Sequence, residues 1–484
     1  MTVPSEAEAL EQVATRARET GRTHWIGRVV AGDAVDRVLE RRLECYAAAD
    51  RSDRFVFESG SGELVLAFGL ADEIETAGVD RFADVRSWAD DVRARLAWVG
   101  APRSASTPTL LGGFGFEDES RGGEDWKGFP AARFVLPQVV VSRCDGEARA
   151  AFVARVEPGA TASSIEAELD TRAAWFERLL CEPEVVPRPP VDLKAPWSDG
   201  PEFRVRADRP HDVFCEQVAN ALEAIGDGEL EKTVLARSLS VTHDGSIEVP
   251  AFLARLRALY PTCTLVAMGR GDDTFLAATP ELLVRVRGNR VSTAALAGSA
   301  LRGRRPDEDR ALGEALLASK KERAEHAHVV DAIRDVLAAR TKELDVPAEP
   351  VLRPLFGIQH LETPIAGTLL EGHTDVLGLV SVLHPTPAVG GVPAASARDW
   401  IRRVEGLDRG WYAAPIGWLD QQGGGDFRVA LRSALIRNGV GESGRSSRSL
   451  LFAGAGLVAG SEPEQELVET RVKLRALLAP LTEI

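Results

Sequence analysis

The sequence predicts an α+β protein, on three observations. Runs of strand-forming residues are joined by turns too short for a helical crossover, which makes neighbouring strands antiparallel. Stretches of helical periodicity fall between groups of strands and do not follow every strand. The chain has 484 residues, 44% hydrophobic and 27% charged, a globular composition long enough for one large domain or two ordinary ones.

In chain order, "RFVFESGSGELVLAFG" reads as two strands about a Gly-Ser turn, and "AARFVLPQVVVSRCDGEARAAFVARV" as a hairpin turning at Asp145-Gly146. Helical periodicity marks Val85 to Trp98 and Thr161 to Leu180. The proline-rich stretch from Cys181 to Phe203 predicts a linker, because proline removes backbone donors and disfavours helix before it. It divides an N-terminal α+β half, residues 1–200, from a region 201–484. There follow a helix (His211 to Ala224), a strand containing Lys232 and a helix (Val249 to Ala258). Three strands come next, broken by a Gly-Asp turn and by Thr279-Pro280, then a turn at Asn289. One long helix is expected from Asp307 to Arg340, and later a hairpin closed by Gly423-Gly424-Gly425.

The net charge of −15 is spread along the chain, so the surface should be negative and a poor partner for nucleic acid or anionic membrane. No run approaches the ~18 apolar residues of a membrane span. Five scattered cysteines without a C-x-x-C pair fit a reducing compartment and speak against a disulfide framework or a zinc site. The expectation is a soluble, cytoplasmic protein.

Only seven of the 58 basic residues are lysines, which draws attention to Lys232 in "GELEKTVLARSLSV". A lysine in apolar surroundings can give up its proton, as arginine cannot; equally, it can open a strand with its ammonium in water. Glu281 follows Thr279-Pro280 at a strand-to-strand corner among apolar neighbours, a setting that can raise a carboxyl's pKa for general-acid work, although an exposed turn glutamate is commoner. Glu322 and Glu325, and again Glu466 and Glu469, are three apart on two helices, so each pair shares a face. Together they offer oxygen ligands to a hard divalent cation; separately they read as solvated faces. Ser461 and Glu464 suggest a capping box for the last helix. Gly454, Gly456 and Gly460 just before it would let backbone groups approach a ligand. No Walker, G-x-G-x-x-G, nucleophile-elbow or H-E-x-x-H motif is present.

Taken in order, "LEKTVLARS", "ATPELLVR", "ALAGSALRG", "SKKERAEHAHVVDAI", "IQHLETPIAG", "LHPTPAVGG", "RGWYAAPIGW", "RVALRSALI" and "AGAGLVAGSEPEQELVETRVKL" resemble the chorismate-utilising enzymes. These are isochorismate synthase, salicylate synthase, anthranilate synthase component I and aminodeoxychorismate synthase. The segments span about Leu230 to Leu474, more than half the chain. The resemblance implies a four-layer αββα sandwich with two large, mainly antiparallel sheets, the linker then being a crossing within one fold. It implies Mg²⁺-dependent attack on the chorismate ring with loss of the 4-hydroxyl. Lys232 would be the base that activates water for C2, and Glu281 the acid that protonates the departing hydroxyl. Glu325 and Glu469 would contact the metal, and Glu322 and Glu466 its waters. Arg432, Tyr412 and the backbone at Gly454 would hold the enolpyruvyl carboxylate, with His360, Gly298, Ser299 and Lys473 lining the pocket.

Within that family, Ala297 stands where aminodeoxychorismate synthases carry a nucleophilic lysine, and "LHPTPAVGG" replaces the F-P-A-G segment of anthranilate synthases. The expectation is therefore an isochorismate synthase, feeding menaquinone or a catechol siderophore, with no glutaminase partner. Salicylate synthase is the alternative. An inactive homologue serving as a binding subunit should have lost a catalytic or metal residue, and all are present. Two departures from the family pattern are T-P-E for S-P-E and K-E-R for K-D-R, both of which keep the functional group.

Overall fold

The computed structural model describes residues 5–49, 53–99, 107–119, 123–181, 203–372, 375–440 and 446–482. The expected linker, apart from its ends, lies outside the described residues.

Among the described residues two sheets make up the body, one of thirteen strands and one of ten. Among the described residues all their ladders are antiparallel except that of His24–Val30 with Leu96–Val99. Both halves of the chain contribute to both sheets. Thr264–Arg270 pairs with Arg54–Glu58 in the larger sheet, and Pro415–Asp420 with Pro108–Phe114 in the smaller. Strand alternation builds two cores. Phe55, Phe57, Val65, Val266 and Met268 point between the sheets, where they meet Val284, Val286, Trp418 and Phe427 of the smaller sheet. Val56, Leu64, Leu66, Leu265 and Ala267 point outward under helices that include Glu6–Thr20, Ala162–Cys181 and Val249–Leu259. Helices Arg81–Arg95, Lys320–Ala338 and Val376–Leu383 cover the smaller sheet. The result is four layers, helix, sheet, sheet, helix. No helix among the described residues is long and apolar enough to cross a membrane.

Most expected elements are present, with four differences. The long helix is two, Pro306–Ala318 and Lys320–Ala338, because Ser319 leaves helical geometry and its hydroxyl caps the second by accepting from the Glu322 amide. The "AARFVLPQVVVSRC" run changes sheets: Ala132–Leu136 lies in the smaller and Val139–Cys144 in the larger. Helix Arg81–Arg95 starts and ends earlier than its periodicity suggests and passes straight into the strand Leu96–Val99. The last helix begins at Pro463, and the Ser461 hydroxyl turns instead to the Val458 amide and the Glu466 carboxylate, so the capping box does not form. The Asp145-Gly146 turn is as expected, with both residues at positive φ.

Behind the strand Lys232–His243 lies a buried ion pair. Arg409 Nε and Nη2 donate to Glu405 Oε1 and Oε2 at 2.7 and 2.5 Å, and Nη1 and Nη2 also reach the Val389 and Val234 carbonyls at 2.9 and 2.8 Å. Glu405 in turn accepts from the Ala236 amide at 2.7 Å. Arg409→Met would strand a buried carboxylate and should cost about 3–5 kcal/mol, read as a lower urea midpoint. The double variant with Glu405→Gln should recover part of that loss, whereas equal loss in both would show that the pair's charge is not what matters.

Candidate active site

The chain crosses from the larger to the smaller sheet at Pro280 and Glu281, between strands Asp273–Thr279 and Leu282–Arg287. It returns through residues 430–432, between Gly425–Val429 and Ser433–Val440. The two crossings are bonded to each other. Thr279 Oγ1 donates to the Val429 carbonyl at 2.6 Å and accepts from the Glu281 amide at 3.1 Å. The Val429 amide donates to the Glu281 carbonyl, and the Ala278 amide to that of Arg432. Arg432 is held at φ 46°, a left-handed conformation that costs an L-residue of order 1 kcal/mol or more and persists only where its surroundings impose it.

These crossings bring Glu281 and Arg432 into one cavity of about 100 Å³ between the sheets. Glu281 is 4% exposed. Burial pushes its pKa up to about 7, against the opposing pull of Lys232, the Thr386 hydroxyl and Lys473. A carboxyl so placed carries a proton near neutrality, as a general acid must. Arg432 is buried too, yet among the described residues it forms no ion pair. Its neighbours are the Tyr260 ring, 4.9 Å from the guanidinium carbon, and Cys263 Sγ at 3.9 Å. A buried guanidinium without a carboxylate is costly unless an anion arrives to meet it.

Glycines set the opposite wall. Gly298, at φ +77°, makes a bulge in the strand Arg290–Leu301, and beyond it the Ser299 amide points to Glu322 Oε2 at 2.9 Å. The Ser299 hydroxyl meets His360 Nδ1 at 2.9 Å. Burial, with Arg432 and Lys473 nearby, drives the His360 pKa well below its ordinary value, so the ring is neutral. At Gly454 a Cβ would come 2.9 Å from Tyr412 Oη, and at Gly456 it would collide with Glu325 Oε1. Both glycines therefore leave room for functional groups to approach the strand.

Helices Lys320–Ala338 and Pro463–Thr482 each present their glutamate pair to this region. Lys232 Nζ donates to Glu325 Oε1 at 2.8 Å, Lys321 Nζ to Glu466 Oε1 at 3.2 Å, and Lys473 Nζ lies 2.6 Å from Glu469 Oε1 and donates to the Gly454 carbonyl. Burial raises the pKa of Glu322 and of Glu466, and in each case a neighbouring glutamate adds to the rise: Glu325 and Glu469 act on Glu322, and Glu469 on Glu466. Carboxylates that burial and mutual repulsion disfavour are the donor set a hard cation would relieve. Among the described residues no three Asp, Glu, His or Cys groups converge on one point. The set therefore suits an ion that keeps water and takes ligand oxygens, not one closed in by protein.

Of the residues expected from sequence, Glu281, Gly298, Ser299, Glu325, His360, Tyr412, Arg432, Gly454, Glu469 and Lys473 line the cavity. Lys232, Glu322 and Glu466 do not; Lys232 is fully buried and reaches the cavity wall through Glu325. Sequence reasoning missed Lys321 and Thr386. The scarcity of lysine was a usable signal for the first, and the second had none beyond its place in "LHPTPAVGG".

Comparison with known proteins gives a consistent result. The family model described as "Chorismate binding enzyme" matches residues 11–482. The salicylate biosynthesis isochorismate synthase of Pseudomonas aeruginosa is 38% identical over 422 residues, covering 86% of this chain and 83% of the relative. Isochorismate synthase MenF of Bacillus subtilis is 36% identical over 379 residues, 78% of this chain and 75% of the relative. Among solved structures, MenF, the menaquinone-specific isochorismate synthase from Escherichia coli, superposes with a TM-score of 0.72 at 25% identity, over 97% of this chain and all of that one.

The Glu281 environment predicts a pH signature. With a folded pKa near 7 against an ordinary 4.5, the native state binds the extra proton between those values, so stability falls as pH rises through that window. Glu281→Gln removes this loss. Relative to wild type it should gain roughly 2–3 kcal/mol between pH 5 and pH 8, measured by urea unfolding. Parallel pH dependence in the two proteins would show that Glu281 is not held protonated.

Proposed function

The chain belongs to the chorismate-binding enzymes, and from that premise we propose that it is an isochorismate synthase. The observation that carries this reading is the cavity's pairing of a buried acid held protonated near neutrality with a buried guanidinium that lacks an anion. Chorismate, a small dianion with a hydroxyl to lose, suits both. Arg432 would take the enolpyruvyl carboxylate, with Tyr412 and the strand at Gly454 beside it. Lys232 would remove a proton from the water that attacks C2, and Glu281 would deliver its own to the oxygen leaving C4. One water enters and one departs, so the product is an isomer of the substrate. His360, kept neutral, and Ser299 would hold the ring by hydrogen bonds without adding charge.

The acidic cluster supports Mg²⁺ as cofactor, with Glu325 and Glu469 as its ligands and Glu322 and Glu466 on its waters. When bound, the ion would neutralise the ring carboxylate and fix the ring between acid and base. We assign the product to menaquinone biosynthesis, the pathway named for the Escherichia coli neighbour. The Pseudomonas relative's name favours salicylate biosynthesis as the second reading. We place the protein in the cytoplasm, acting without a glutaminase.

Incubation with chorismate and Mg²⁺ should yield isochorismate alone. Salicylate with pyruvate would favour a salicylate synthase, and anthranilate formed only with added ammonia would overturn both readings. Chelation should abolish turnover and Mg²⁺ restore it. Lys232→Arg should keep the charge but lower kcat by at least about 100-fold, the scale of general-base catalysis; full activity would remove Lys232 from that role.

A further inference from the structure

Residues 384–392 carry contacts that the chemistry above does not use. Two backbone bonds and one side-chain bridge tie this loop to the strand that bears Lys232 or to the residues just before it. The Val234 amide donates to the Gly390 carbonyl at 2.9 Å and the Glu231 amide to that of Val392 at 2.8 Å, while Arg409 links the Val389 and Val234 carbonyls. Within the loop, the Thr386 carbonyl accepts from the Val389 and Gly390 amides at 3.1 and 2.9 Å. The Thr386 backbone is therefore fixed against the base strand. Its side chain is buried, and among the described residues its hydroxyl has one hydrogen-bond partner, Glu281 Oε1 at 3.4 Å. A buried hydroxyl needs such a partner, and β-branching leaves threonine few rotamers with which to seek another.

We infer that Thr386 is a positioning residue for the acid: its hydroxyl donates to Oε1 of Glu281 and so reserves Oε2 as the oxygen that carries the transferable proton. This rests on the reading of Glu281 as the general acid. During transfer the Oε2–H bond breaks, the proton joins the departing C4 oxygen, and the electron pair stays on the carboxylate. The Thr386 bond then has an ionised acceptor and becomes stronger. The hydroxyl thus favours the product side of the proton transfer and fixes which oxygen acts.

The groups that face Glu281 are Lys232, Lys473, Tyr412 and Thr386 itself. The first three stay in place in Thr386→Val and Thr386→Ser, so a difference between these variants reports the hydroxyl. The protonated carboxyl stretch of Glu281 can be isolated by infrared difference spectroscopy, with Glu281→Gln as reference. In Thr386→Val the titration midpoint should rise by about one pH unit or less and the band should move to higher wavenumber, because a donor to the ionised form is lost. kcat should fall about tenfold with KM within about twofold. Thr386→Ser should restore midpoint, band and kcat together. An unmoved band and midpoint in Thr386→Val would overturn the inference. So would a serine variant that behaves like the valine one, since the methyl group would then be what matters. If Glu281→Gln itself turns over normally, the premise fails first; if that variant is dead while Thr386→Val keeps the wild-type band, only the present inference fails.

Discussion

The hydrogen bonds that hold the two sheet crossings together are the constraint on which the site depends. Thr279 Oγ1 to the Val429 carbonyl, the Val429 amide to the Glu281 carbonyl, and the Ala278 amide to the Arg432 carbonyl join backbone that would otherwise end two separate ladders. An acid on one crossing and a cation on the other are thereby placed in the same cavity, each on backbone with little freedom. Both are buried by the packing of sheet on sheet. That shared burial has opposite consequences: it raises the carboxyl's pKa and leaves the guanidinium wanting an anion.

Charge at the site follows from how ammonium and guanidinium differ. Arginine outnumbers lysine throughout the chain, yet three of the seven lysines face the glutamates of the two helices. A guanidinium fork tends to take both oxygens of a carboxylate. Each of these lysines instead takes one: Oε1 of Glu325, of Glu466 and of Glu469. For Lys321, burial opposes the charge but Glu466, Glu322 and Glu325 outweigh it, so its pKa lies above the ordinary value. It is a counter-ion and not a base. Elsewhere in the fold, arginine does the structural pairing, as at Arg133 with Asp53 and Glu73 and at Arg428 with Asp426.

Much of this was legible in the sequence. Turn chemistry placed the hairpins, and i,i+3 spacing placed both glutamate pairs, because these signals are local. The corner at Glu281 was legible, but its surroundings alone left an exposed glutamate the commoner reading, and its expected role came from the family resemblance; the structure buries it. What the sequence did not show is non-local. Ser319 divides the long helix because its side chain competes for the Glu322 amide, and periodicity alone cannot tell a capping serine from one inside a helix. Ser461 has the spacing of a capping residue, yet its hydroxyl goes to Glu466 and the Val458 amide. Nor does the position of Lys232 in its strand reveal that the ammonium ends on Glu325, 93 positions away. Thr386 lies 105 positions from Glu281, and only folding could bring them together.

The Glu405–Arg409 pair is the clearest case of a contact retained for geometry. A buried ion pair rarely adds net stability over well-packed apolar residues, since desolvation cancels most of the Coulomb gain. Apolar replacements could fill the space, but they could not at once bind the carbonyls of Val389 and Val234 and the amide of Ala236. Those three backbone groups belong to the loop that carries Thr386 and to the strand that carries Lys232. The guanidinium also lies over Phe116, which comes from the N-terminal half. One ion pair therefore ties the strand of Lys232, the loop that touches Glu281 and the opposite half of the molecule to a common reference. Any slack in it would change the separation of Lys232 and Glu281, the distance that the proposed reaction, with water entering at one carbon and leaving from another, can least tolerate.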